Sequence, residues 1–177
     1  MLLAPRKVTT AEWLDRIGWF RVEVWQANTM VDAASFPDGK CLEPVDSIAT
    51  HFVIEQGGEL LGACRYAQYP DLASSHHSQY YLAAGIRLQG PVGIPEHTVV
   101  RPDYARQGLG SRLASAQLQE AIAHNARYML IEAAPAAAAM LRKRGRKYLG
   151  KAPPDPRFPN VQFEWFVTDM AQLREPR

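Results

Sequence analysis

One stretch constrains this chain more than any other: Val99-Val100-Arg101-Pro102-Asp103-Tyr104-Ala105-Arg106-Gln107-Gly108-Leu109-Gly110. An apolar strand end runs into a basic, glycine-punctuated turn, and a helix follows at once. From Gly110 to Asn125 there is no proline and no further glycine. Leu113, Ala114, Leu118, Ala121 and Ile122 fall on one arc, with Arg112, Ser115 and Gln119 opposite. Such a turn suits a phosphate: glycines admit close backbone approach, and the first N–H groups of the helix lack intrahelical acceptors. It is not a Walker loop, since no Gly-Lys-Ser/Thr ends it, nor a three-glycine dinucleotide fingerprint.

The segment resembles the acyl-CoA motif of the GNAT acyltransferases, Gln/Arg-x-x-Gly-x-Gly/Ala after a strand ending Val-x-Pro. Val100-Arg101-Pro102 supplies the strand end, and Gly108 and Gly110 fill the last two positions. Ala105 takes the first, with Arg106 next door, so the basic residue is displaced by one. The resemblance implies acetyl-CoA or another acyl-CoA as co-substrate, with no metal. Val99, Val100 and Arg101 would lie beside the pantetheine arm. Arg106, Gln107, Gly108, Leu109, Gly110 and Ser111 would cradle the pyrophosphate.

The rest of the chain reads in the same order. Thr9 and Glu12 have capping-box spacing, and Trp13, Leu14, Ile17, Phe20 and Val24 follow as a core stripe to about Asn28. Residues 29–48 read as loop with short helical pieces. His51 to Gln56 and Glu59 to Ala67 form a hairpin about Gly57-Gly58. Residues 68–91, with His76, His77, Tyr80, Tyr81 and Arg87, are long for a link; they read as a wall over the acceptor site or as a solvated excursion. Val92 to Arg101 is the central strand, Arg127 to Ala133 a parallel one, and the crossover between them right-handed. Ala136 to Arg144 is a helix stopped by Gly145. A proline-rich loop (152–159) precedes a last strand, Val161 to Thr168. This order fits an α/β GNAT-like fold: a mixed, mostly antiparallel sheet with splayed fourth and fifth strands, flanked by helices. We expect one domain over residues 1–177.

Acyl transfer to an amine needs a proton acceptor and oxyanion donors. Glu96, four residues before Val100, stands where several members of the resembling family carry an acid–base group. It reads as a base, directly or through water, or as a carboxylate paired with a nearby arginine. His97 would point to the opposite face unless a bulge turns it toward the cleft. The family's usual tyrosine acid falls at Leu141, and Ala134-Pro135-Ala136 replaces a common asparagine; Tyr148 is the nearest substitute.

A second, sparser resemblance, to acyl-homoserine-lactone synthases, rests on Arg21-Val22-Glu23-Val24-Trp25, Asp46 and Gly62-Ala63-Cys64-Arg65. Arg21, Asp46 and Arg65 read equally as a structural ion network. Those synthases use carrier protein and generally lack the glycine motif, which favours CoA here.

The basic run Arg142, Lys143, Arg144, Arg146, Lys147 and Lys151 reads as a solvated helix end, then as attraction for CoA phosphates. A net charge of +2 without interleaved aromatics argues against nucleic acid. The N-terminus is too poor in apolar residues for a signal peptide, and no run reaches membrane-spanning length. Cys41 and Cys64 read as free thiols, and cytoplasm is the expected setting. His76-His77 has no Cys or carboxylate at ligand spacing, so no metal is expected. The expected reading is therefore an acyl-CoA-dependent N-acyltransferase of a small-molecule or peptide amine, compatible with a homodimer. Its alternatives are an acyl-homoserine-lactone-synthase-like enzyme and a non-catalytic acyl-CoA-binding module.

Overall fold

A computed structural model describes residues 3–173; the ends of the expected 1–177 domain lie outside the described residues. Seven strands form one sheet in the order β1-β2-β3-β4-β5-β7-β6. They are β1 Arg6–Val8, β2 Thr50–Gln56, β3 Glu59–Tyr69, β4 Val92–Val100, β5 Tyr128–Ala133, β6 Lys147–Lys151 and β7 Glu164–Asp169. The helices are α1 Ala11–Ala27, α2 Ser78–Ala83, α3 Leu109–Ala123 and α4 Pro135–Lys143.

All neighbouring strands are antiparallel except β4 and β5. These two pair in parallel at only Val92↔Tyr128 and Gly93↔Met129. Beyond Gly93 they diverge, and the central cleft opens there. Gly93 is needed where it stands: a Cβ would collide with the Tyr66 ring, which lies across the strand start.

Each face of the sheet has its own core. α1 buries Ile17, Phe20, Val24 and Trp25 against Val53, Ala63 and Val99. α3 buries Leu109, Leu113 and Ala121 against Phe52, Cys64 and Tyr66. Burying one such aliphatic or aromatic side chain contributes about 1.5–3 kcal/mol, so the two helices clamp the sheet from opposite sides. Cys41 and Cys64 are free, buried thiols. Among the described residues, no helix is long and apolar enough to cross a membrane.

Three local expectations are corrected, and one short strand, β1, carried no signal. Thr10, not Thr9, caps α1, and it does so without a side-chain hydrogen bond. The last strand is Glu164–Asp169; residues 161–163 precede it irregularly. β1 is too short to show an alternation. β6 lies inside the basic run read as a solvated helix end, yet it pairs with β7 as an edge strand.

Candidate active site

The cleft between the diverging strands encloses about 590 Å³. Gly110, Ala114 and Leu118 of α3 line one side; Ala137, Met140 and Leu141 of α4 line the other. Glu96, His97 and Glu43 close its inner end.

At the outer end the backbone does the work. Arg106 and Gly108 adopt φ values of 62° and 81°, turning the chain sharply into α3. The first intrahelical bond runs from the Arg112 N–H to the Gly108 carbonyl. The amides of Leu109, Gly110 and Ser111 therefore have no partner within the helix. Among the described residues, and apart from its chain neighbours and local helix backbone, nothing lies within 4 Å of a Cβ built on Gly108, and only a Val100 methyl at 3.9 Å approaches one on Gly110. This is an open, positively polarised pocket edge fit for an anion.

Of the residues expected to hold the donor, Gly110 lines the cleft, Arg106, Gln107 and Gly108 form the adjoining turn, and Ser111 lies in the first turn of α3. Leu109 and Val99 instead bury their side chains in the two cores. Val100 is half-buried on the α3 face. Arg101 points away: it pairs with Asp103 and Glu59 and borders a separate groove beside α1. From the basic run, Arg144 and Arg146 reach the cleft wall, while Arg142 pairs with Glu164.

The inner end is built from side chains that lie far apart in sequence. Fully buried Arg21 binds Asp46 through two hydrogen bonds of 3.1 and 2.9 Å. Fully buried Arg65 spans Asp46, Glu43 and Glu96 at 3.0, 2.7 and 2.9 Å. The sheet register makes this link, since Arg65 faces Glu96 across β3–β4. Arg157, from the proline-rich loop, joins Glu43 to Asp155. The ion network read as one option for Arg21, Asp46 and Arg65 is thus present, and it reaches the cleft.

Glu96 has both oxygens engaged. Arg65 donates to Oε2 through Nε and Nη2, and Oε1 meets His76 Nε2 at 3.1 Å. Burial pushes its pKa up, but the His76 hydrogen bond and the Arg65 charge prevail and hold it at about 2. Glu43 behaves alike: burial opposes ionisation, while His97 and Arg65 hold the carboxyl well below the usual range. Glu96 thus has the paired-carboxylate surroundings set against a base role above.

His97 occupies a bulge. Ala63 faces Val99 and Arg65 faces Glu96, so His97 and Thr98 together oppose Cys64. His97 takes φ 50°, a strained value for a non-glycine residue. The bulge brings neighbours Glu96 and His97 to the same cleft instead of opposite faces. The ring sits edge-on to Trp25 at 5.3 Å, with Nε2 3.2 Å from Glu43. Burial, with Arg21 nearby, pushes its pKa down to about 4, leaving the ring neutral at pH 7.

Tyr148 is not brought to the cleft. It sits on edge strand β6 opposite Phe166, with its ring against Phe166 and beneath Arg142. Leu141, at the position usual for the tyrosine, is apolar and lines the cleft. The 68–91 segment does supply wall: His77, Tyr80 and Tyr81 line the same cleft as Glu96 and His97. Glu43, Arg157, Phe158 and Glu132 also reach it. None of these four had a spacing signal, since each comes from a loop or a strand whose partners are set by tertiary register.

Residues 13–145 match the sequence profile of the acetyltransferase (GNAT) family. No curated protein sequence matches the chain significantly. Among solved structures, it is similar to FeeM, an N-acyl amino acid synthase from uncultured soil microbes. There the TM-score is 0.66 at 16% identity, over 97% of this chain and 92% of that one. The acyl-homoserine-lactone synthase LasI gives 0.67 at 10%, over 94% and 87%. A polyamine N-acetyltransferase of Drosophila melanogaster gives 0.53 at 14%, over 67% and 74%. At such identities these likenesses speak to the fold.

Proposed function

Because the chain belongs to the acetyltransferase (GNAT) family, we propose that its cleft carries acyl-CoA along the strand splay, pyrophosphate at Arg106–Ser111 and thioester beside His97. The protein is an acyl-CoA-dependent N-acyltransferase. Acetyl-CoA is the first donor to consider. Trp25, Met30, Phe158 and Phe163 at the inner end favour a longer acyl chain as the second. The acceptor is a small amine, because His77, Tyr80 and Tyr81 wall the inner end. Two buried free thiols accord with a cytoplasmic setting.

One observation carries the reading: the splay ends on a bulged, neutral histidine backed by a carboxylate. With Nε2–H donated to Glu43, His97 keeps an Nδ1 lone pair as the acceptor for a proton from the reacting amine. The neutral amine attacks the thioester carbon, and its N–H proton becomes acidic as the C–N bond forms. A weakly basic imidazole then suffices to take that proton. The tetrahedral adduct collapses, the C–S bond breaks, and CoA leaves as thiolate, which solvent protonates. No acid at the Leu141 position is required.

The test is thiol release from acetyl-, octanoyl- and palmitoyl-CoA with a panel of polyamines and amino acids, the acceptor classes named for the structural neighbours. Release that needs both partners supports the reading. Saturable CoA binding without release across the panel overturns it in favour of a binding module. Turnover only with carrier-protein thioesters supports the synthase-like alternative.

A further inference from the structure

The fold brings a carboxylate to the paired histidines. His76, His77 and Glu96 each offer one ligand atom, and these atoms lie within 4.8 Å of one another. We propose that His76, His77 and Glu96 form a zinc-type divalent metal site at the inner end of the cleft. This goes beyond the acyltransferase reading and does not depend on it.

The donor chemistry fits. Two imidazoles and one carboxylate, with a fourth position open, is an established zinc set. Bonds of about 2.0–2.1 Å at tetrahedral angles place neighbouring ligand atoms about 3.3 Å apart. His76 Nε2 and Glu96 Oε1 already stand 3.1 Å apart. Adjacent histidines would diverge on a strand, but here they sit in the turn before α2, with ring centroids 4.2 Å apart.

The surroundings also orient the ligands. Tyr69 Oη lies 2.7 Å from His76 Nδ1, which leaves Nε2 for the ion. Arg65 fixes Glu96 by Oε2, and an ion would take the place of the present contact between His76 Nε2 and Glu96 Oε1. Such outer partners typically contribute 10–100-fold to metal affinity. Arg65 and Arg157 hold the neighbouring carboxylates Glu43, Glu96 and Asp155 in place. His77 and Glu96 line the cleft, so the fourth position opens toward it.

The experiment is a Co(II) titration of untagged protein followed by visible absorption, with Zn(II) as competitor and calorimetry for stoichiometry. We expect one equivalent bound, the intense bands of a four-coordinate site, and displacement by zinc. His76→Ala and His77→Ala should each weaken binding about tenfold or more, and Tyr69→Phe about 10-fold. If an alanine variant fails to fold by circular dichroism, His77→Gln and Tyr69→Phe carry the test. No saturable binding at millimolar cobalt would overturn the proposal. So would unchanged affinity in the His76→Ala/His77→Ala double variant, which would place the ion elsewhere.

Discussion

The two ends of the cleft are built on different principles. The outer end is one contiguous stretch, Val100 to Ser111, where main-chain amides and open space beside Gly108 and Gly110 make up the wall. The inner end joins Glu43, Arg65, His76, Glu96, His97 and Arg157 from five segments into one buried charged network. A backbone site depends on local conformation and tolerates exchange of neighbouring side chains. A side-chain network depends on every member, because each buried charge removed strands another.

The sharpest way to break this contrast is Arg65→Met. The guanidinium pairs with Asp46, Glu43 and Glu96 at once. Its loss should cost about 3–5 kcal/mol of stability, read from urea unfolding. A drop within about 0.5 kcal/mol would mean that the network adds little to the fold.

His97→Ala comes next. We expect kcat to fall about 10²–10⁴-fold, the range for a lost general base, with CoA affinity nearly unchanged. Turnover at the wild-type rate would show that His97 is not the base.

Acid offers a gentler probe. Asp46 is held at about 2 against an ordinary 3.8: burial opposes ionisation, but the Arg21 hydrogen bond and the Arg21 and Arg65 charges prevail. Its folded pKa is depressed, so its contribution is complete above about pH 4 and fades as pH falls toward 2. At 1.36 kcal/mol per pKa unit that is roughly 2 kcal/mol. Urea midpoints at pH 5 and 2.5 should show the loss, and Asp46→Asn should reduce it, the remainder coming from Glu43 and Glu96, which are depressed likewise. A midpoint independent of pH over that range would contradict the assignment.

The same contrast explains what could be read from the residues alone. The strand–turn–helix unit, the hairpin about Gly57-Gly58 and the parallel strand were legible because hydrophobic period and glycine placement are local signals. Glu43 gave no signal, since it lies in a loop whose geometry depends on Asp46 and Arg65. In the sequence His76-His77 stands as a bare histidine pair, because Glu96 lies 19 residues beyond His77 and is brought beside it only by the β3–β4 pairing. The His97 bulge follows from one extra residue opposite Cys64, which no composition reveals. Tyr148 was misplaced for a related reason: its strand, Lys-Tyr-Leu-Gly-Lys, is too short and too charged to announce an edge.

The most direct test of the account is a calorimetric CoA titration of two folded variants side by side, Gly110→Phe and His97→Ala. Gly110 meets open cleft where a side chain would fill the space claimed for the pyrophosphate arm. The account predicts that Gly110→Phe loses CoA affinity about tenfold or more, equivalent to about 1.4 kcal/mol, while His97→Ala binds as the parent does. The reverse pattern, with affinity lost at His97 and kept at Gly110, would contradict it.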